Sequence, residues 1–378
     1  MTDLVPLRST GLDVACGIML GLEPATRPPV AWSGPAPAPL VALERAVLPA
    51  LRRPPCMVSF SGGVDSSLVL AIAARVARRE GLPDPVPVTW RFTDAPRAEE
   101  SPWQDRVIAE LRLARQWQIL QAGDDLDLVG SVARRVLTRY GQVHPFNRHV
   151  HLPIVELARG GALLTGLGGD QVLAGWRRRP GSVRARLGRL RARLRHREPD
   201  PFPWLRPEVA RQVRRAFRAE QRAEPRRLAG RIPWHLRRRD LTMSRASLAM
   251  LATDNDVLAV TPLLDDGFAA ALTAHHGGLR SPSRRELLAM VADAALPSLI
   301  VAPRRKATFN EVFFRAATRE VVRAWDGGGI DDSLVDVAAL RREWSGWPVN
   351  PRTAALVQQV WLADRPAPLR RNTLEVPK

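Results

Sequence analysis

A chain of 378 residues with 45% hydrophobic content can bury a substantial core, enough for one large domain or two moderate ones. No apolar run approaches the roughly 18 residues of a membrane span, the N-terminus lacks the order of a secretory signal, and Cys16 and Cys56 are too few for a disulfide framework or a zinc site. The composition therefore predicts a soluble, cytoplasmic protein without a membrane partner. The formal charge of +19 invites a nucleic-acid reading, yet lysine occurs only at Lys306 and Lys378, and an arginine, alanine, glycine and proline excess fits a GC-rich coding bias better than a polyanion surface.

Residues 1–50 form a short extension rich in Pro, Ala and Gly, with a helical pattern from Pro39 to Leu51. Next, Cys56 to Phe60 is short, apolar and bounded by Pro54-Pro55, as a buried strand of a parallel sheet should be. Leu68 to Arg79 reads as a helix that Gly81 stops. Between them lies Ser61-Gly62-Gly63-Val64-Asp65-Ser66-Ser67. Strand, glycine turn and helix make a phosphate-binding arrangement: glycines admit the anion to the backbone, while helix-start amides and serine hydroxyls donate to it. The glycine spacing and the lack of a Lys-Ser/Thr pair exclude a Walker A loop. An isolated Gly-Gly would more often be a packing turn. Six matched positions in this context instead resemble the pyrophosphate loop of ATP pyrophosphatases, which cleave ATP to AMP and pyrophosphate.

Further strands are expected at Pro85–Phe92, Trp117–Gln121 and Ala162–Thr165, with helices from Glu99-Glu100 to about Leu113, over Asp127–Tyr140 and over Leu152–Arg159. Strands alternating with helices predict an α/β fold with a doubly wound parallel sheet, binding its ligand outside the carboxyl ends of the strands. Residues 51–176 would be the nucleotide-binding core. Its last strand runs into Thr165-Gly166-Leu167-Gly168-Gly169-Asp170-Gln171, ending at Trp176. This resembles the second motif of asparagine synthetases, Ser-Gly-x-Gly-x-Asp-Glu-x-x-x-Gly-Tyr, with Thr165, Gln171 and Trp176 as variants. Asp65 and Asp170 would converge on one crevice, where two carboxylates plus phosphate oxygens suit Mg²⁺.

Residues 177–240 read as an arginine-rich helical insertion, densest from Arg184 to Arg197. A solvated face is the plainer reading, and docking of an acidic peptide or RNA the functional one. Met243 to Leu272 resumes a helical core pattern around Thr261-Pro262-Leu263-Leu264-Asp265, which resembles the family's Glu-Ala-Arg-Val-Pro-Phe-Leu-Asp. The family glutamate that handles the nucleophile falls at Leu258, and nearby Asp254 and Asp256 are unproven substitutes. Lasso-peptide cyclases also lack that glutamate. Arg284-Arg285-Glu286-Leu287-Leu288, Leu296-Pro297 and Arg304-Arg305-Lys306-Ala307-Thr308-Phe309 resemble the family's closing pattern. Its catalytic lysine matches Lys306, and residues 241–365 would form a helical C-terminal part before a tail at 366–378.

The chain is thus similar to the synthetase domain of asparagine synthetases, β-lactam synthetases and lasso-peptide cyclases. That resemblance implies an ATP-pyrophosphatase-type fold and an ATP-dependent carbon–nitrogen ligase that adenylates a carboxylate and joins it to an amine. Ser61, Gly62, Gly63, Asp65, Ser66, Ser67, Gly166 and Gly168 would bind ATP, Asp65 and Asp170 would hold Mg²⁺, and Lys306 would stabilise the transition state. Glutamine-dependent members place a domain of roughly 200 residues before the loop. Only sixty residues precede Ser61 here and Thr2 follows Met1, so ammonia from glutamine by that route is not expected. A peptide or intermediate carrying both carboxylate and amine is the expected substrate, with a precursor peptide or partner protein possible. The alternatives are an ammonia-dependent asparagine synthetase-like enzyme and, from another class, a basic RNA-binding or tRNA-modifying protein.

Overall fold

Alternation along each strand decides what the sheet must be covered with. Cys56 and Val58 of β1 (Cys56–Ser59) join the core on one side, and Met57 joins the core on the other. In β4 (Ala162–Thr165), Ala162 and Leu164 share the first side and Leu163 the second. A sheet apolar on both faces needs helices on both. The computed structural model describes residues 9–24, 35–92, 94–98, 100–176, 200–278, 282–292, 296–302 and 307–364. In it five parallel strands run in the order β3-β2-β1-β4-β5, with β2 at Val86–Phe92, β3 at Gln118–Ala122 and β5 at Leu258–Val260. Cys56 pairs with Ala162 and Ser59 with Thr165. The chain steps outward from β1 to β3, then crosses to β4, so the switch point falls between β1 and β4.

The helices up to residue 292 are α1 (Gly11–Cys16), α2 (Pro39–Leu51), α3 (Val64–Arg79), α4 (Ser101–Leu111), α5 (Ser131–Tyr140) and α6 (Leu152–Leu157), followed by α7 (Pro207–Ala223), α8 (Leu228–Leu236), α9 (Arg239–Thr253), α10 (Asp266–His276) and α11 (Arg284–Ala292). One face is packed by α2, α3, α10 and α11, the other by α6 and α9. Leu68, Val69, Leu70 and Ile72 of α3 are wholly buried, so the nucleotide-loop helix is also the central core helix. Truncating Ile72 to alanine there would cost ~2–5 kcal/mol. A second core, beyond the ends of β2 and β3, gathers α1, Trp204 and the C-terminal helices. Buried Asp127 anchors it by accepting hydrogen bonds from the Val129, Arg315 and Thr318 amides at 3.0, 2.8 and 3.1 Å. Among the described residues no helix is long and apolar enough to cross a membrane.

Two expectations change. The stretch expected to be helical from Met243 to Leu272 contains β5, whose three residues are too few to show a period of two. Helix α3 begins at Val64 rather than Leu68, which puts Asp65 in its first turn instead of on a loop. A carboxylate is favoured there by the helix dipole. The segment Arg184–Arg197 lies outside the described residues.

Candidate active site

The loop after β1 is held in shape by the chain's own groups. Gly62 has φ +89°, and a Cβ there would lie 2.9 Å from Gln104 Cγ, so glycine is required twice over. Gln104 of α4, itself buried, donates to Ser61 O at 3.0 Å. Ser61 Oγ accepts from the Gly63 amide at 3.2 Å and lies 3.1 Å from Ser66 Oγ. These bonds hold Ser61, Gly63 and Ser66 on the wall of a cleft at the start of α3, where amides and hydroxyls face an incoming anion. Ser67 does not reach that wall: it is fully buried, and its hydroxyl donates back to Gly63 O at 2.8 Å. It fastens the loop to the helix.

The turn after β4 is pressed against the same helix start. A Cβ at Gly166 would fall 2.8 Å from Ser66 N, one at Gly169 would fall 2.1 Å from Asp65 Cγ, and one at Gly168 would fall 2.0 Å from Leu264 Cδ2. The glycines let two loops touch, and of Gly166 and Gly168 only Gly166 lines the cleft. Asp170 then opens a wide helical turn, Asp170–Ala174. Beyond it the Trp176 amide donates to buried Glu224 at 2.7 Å, which also bonds His235 Nε2 at 2.7 Å, while Arg238 stacks 3.8 Å over the Trp176 ring. The motif's aromatic residue is therefore an anchor into α7 and α8.

Asp65 and Asp170 meet at the guanidinium of Arg284. Arg284 Nη2 donates to Asp65 Oδ1 at 2.6 Å and Nη1 donates to Asp170 Oδ1. Burial works against the charge on Arg284, but the two carboxylates outweigh it and hold its pKa up. Two carboxylate oxygens within reach of one positive group are a donor set that fits Mg²⁺. Among the described residues no cluster of three His, Cys, Asp or Glu side chains forms a metal site, so a divalent ion here would complete its shell with phosphate oxygens and water.

The cleft measures about 1350 Å³ and spans the carboxyl ends of β1, β2 and β4. One wall is apolar and aromatic, with Trp90, Phe92, Phe309 and Phe313; Phe92 and Phe309 meet edge to face at 5.7 Å. Into this wall is set Arg148, a residue to which sequence reasoning gave no role. It is 3% exposed, donates to Ser244 Oγ, leaves Nε without a partner, and has no carboxylate within 4.0 Å among the described residues. Burial pushes its guanidinium down to about 10. Beside it, burial and then the Arg148 charge push His151 down to about 3, so that ring is neutral. No motif flags Arg148 in so arginine-rich a chain; only its burial does.

Leu258 begins β5 opposite Ala162, packs against the α2–α3 side, and does not line the cleft. Neither nearby acid replaces the family glutamate. Asp254 binds Arg139 and Tyr140, and Asp256 binds Arg53, all at the amino end of the sheet. Lys306 lies outside the described residues; its flanks Ala302 and Ala307 line the cleft.

The family model described as asparagine synthase matches residues 41–363. No curated protein sequence matches the chain significantly. The match spans all five strands, both glycine turns and the arginine that joins their two aspartates. On that extent, the chain belongs to the asparagine synthase family, a family of ATP-dependent amide-forming ligases.

Proposed function

We propose that the protein activates a carboxylate with ATP, releasing AMP and pyrophosphate, and joins the acyl group to an amine brought by the same peptide or biosynthetic intermediate, as in lasso-type macrocyclisation. The observation that carries this reading is the convergence of Ser61, Gly63, Ser66, Asp65 and Asp170 on one cleft at the sheet's switch point. The serine hydroxyls and first amides of α3 hold the pyrophosphate portion. Asp65 and Asp170 would hold Mg²⁺, which when bound neutralises charge on the leaving group. At about 1350 Å³ the cleft exceeds the ~300–1,000 Å³ of ordinary single-ligand pockets, which leaves room for ATP and an acyl substrate side by side. The aromatic wall excludes water from the acyl group, and Arg148 offers its unpaired charge to a substrate carboxylate. With Leu258 in place of the glutamate, the amine must be positioned by the substrate itself.

Arg148 also favours a second reading, an ammonia-dependent enzyme acting on a small dicarboxylic amino acid such as aspartate. Exchange of labelled pyrophosphate into ATP separates the two. A peptide substrate should support it where aspartate alone does not, and the reverse result selects the second reading. Formation of ADP and phosphate would overturn both.

A further inference from the structure

The cation between Asp65 and Asp170 belongs to the chain itself. Arg284 is the first residue of α11, and its side chain is 30% exposed. A cation in a first turn opposes the helix dipole, and this helix already has its start satisfied by Ser283 and Glu286, which bond one another's amide and side-chain groups. The helix therefore gives no reason for a positive residue at 284. The two carboxylates do: the nitrogens of one planar fork meet one oxygen from each, in a fixed geometry that the rotatable ammonium of a lysine would not impose.

Those same carboxylates are the ones a metal would need. Mg²⁺ binds oxygen at about 2.0–2.1 Å, closer than a charge-assisted N–H···O contact, so ion and guanidinium cannot share both Oδ1 atoms. Bare Mg²⁺ would have to shed water and strand a half-buried guanidinium. Mg²⁺ arriving on a polyphosphate brings excess negative charge, and the displaced arginine then has a new partner.

We propose that Arg284 is a resident cation that keeps the metal site closed until nucleotide enters, so that metal and ATP are admitted together and bare metal is refused. This rests on the reading of Asp65 and Asp170 as metal ligands. Arg284 also holds the two carboxylates side by side, cancelling their repulsion and keeping the site in shape for the ion. It is a positioning residue, and its effect is on metal binding without nucleotide.

The test uses Mn²⁺ as a paramagnetic probe, with free and bound ion counted by electron paramagnetic resonance. The full chain is titrated alone and with a non-hydrolysable ATP analogue. Wild type should bind Mn²⁺ weakly alone and tightly with the analogue. Arg284→Gln should bind it more tightly without nucleotide, on the order of tenfold, as loss of one competing charge-assisted pair implies. Asp65→Asn in the Arg284→Gln background should erase that gain. Arg284→Lys, which keeps the charge but loses the rigid fork, should show a smaller gain and serves if the glutamine variant does not fold. Equal nucleotide-free affinity in wild type and a folded Arg284 variant overturns the proposal. If Asp65→Asn in the wild-type background leaves Mn²⁺ binding with the analogue unchanged, the metal-ligand reading itself is what fails.

Discussion

The backbone of Gly169 lies against the carboxylate of Asp65, so close that a methyl group at 169 would sit 2.1 Å from Cγ. One loop thus sets the position of the other's acid. Gly169→Ala is predicted to fold, because the clash is with a side chain that can turn, while moving Asp65 by about an ångström. Displacement of that size at a reacting centre costs on the order of a hundredfold in rate. Pyrophosphate exchange beside circular dichroism checks this; a folded variant with wild-type exchange would show that Asp65 is not held for catalysis.

Arg148 is expected to trade stability for binding. A buried cation with no acid partner among the described residues costs several kcal/mol, and methionine of similar reach removes that cost. Arg148→Met should make the unliganded protein more stable by ~1–3 kcal/mol in urea unfolding and abolish substrate-dependent exchange, with ATP binding retained. Destabilisation by the same substitution would mark Arg148 as a packing residue.

Acid should weaken the fold early. Burial holds His149, His151 and His235 below their ordinary pKa, His151 down to about 3. Between pH 6.5 and the folded value, the unfolded chain takes up protons that the folded protein refuses. Stability is therefore full above pH 6.5 and is lost as pH falls, by up to ~1.4 kcal/mol per pH unit for each ring. Urea midpoints at pH 7.5 and 5 should differ in that direction, and His151→Gln should shrink the difference. A midpoint flat across that range would mean the rings are protonated in the folded state.

Lys306 is the internal lysine of a chain that uses arginine nearly everywhere. A compact ammonium can follow a phosphate oxygen and then a carbonyl oxygen, which a rigid fork cannot do. Lys306→Arg should lose most of the amide-forming rate, equivalent to about 3 kcal/mol of barrier, while ATP still binds. Single-turnover amide formation measured beside equilibrium ATP binding decides it, and near-wild-type turnover would make the lysine an ordinary surface cation.

What could be read from sequence was whatever the backbone demands locally. The glycines of both turns, the apolar strands and the two aspartates follow from chain-local rules, and the structure brings Asp65 and Asp170 to one cation. Strand β5 stayed hidden because Leu258–Val260 is too short to alternate visibly, and its partner Ala162 is distant in sequence. Arg148 and the bridging role of Arg284 were illegible for a related reason. Their meaning lies in what surrounds them, a dry wall in one case and two acids in the other, and many arginines share their local sequence character. Serine at a helix start can serve either a phosphate or the helix, and burial assigns Ser67 to the helix.

The adjacency of β1 and β4 has a consequence for synthesis. Asp65 leaves the ribosome roughly a hundred residues before Asp170, a delay on the order of 10 s at ordinary translation speed. In that interval β1 can pair with β2 but not with β4, so one edge of Cys56-Met57-Val58 stays open in a nascent chain that already carries its central helix. An apolar edge strand waiting for a late neighbour is where newly made chains stick together. Yield of the protein should therefore respond more to the speed of translation and to chaperone supply than its finished, fully covered sheet would suggest.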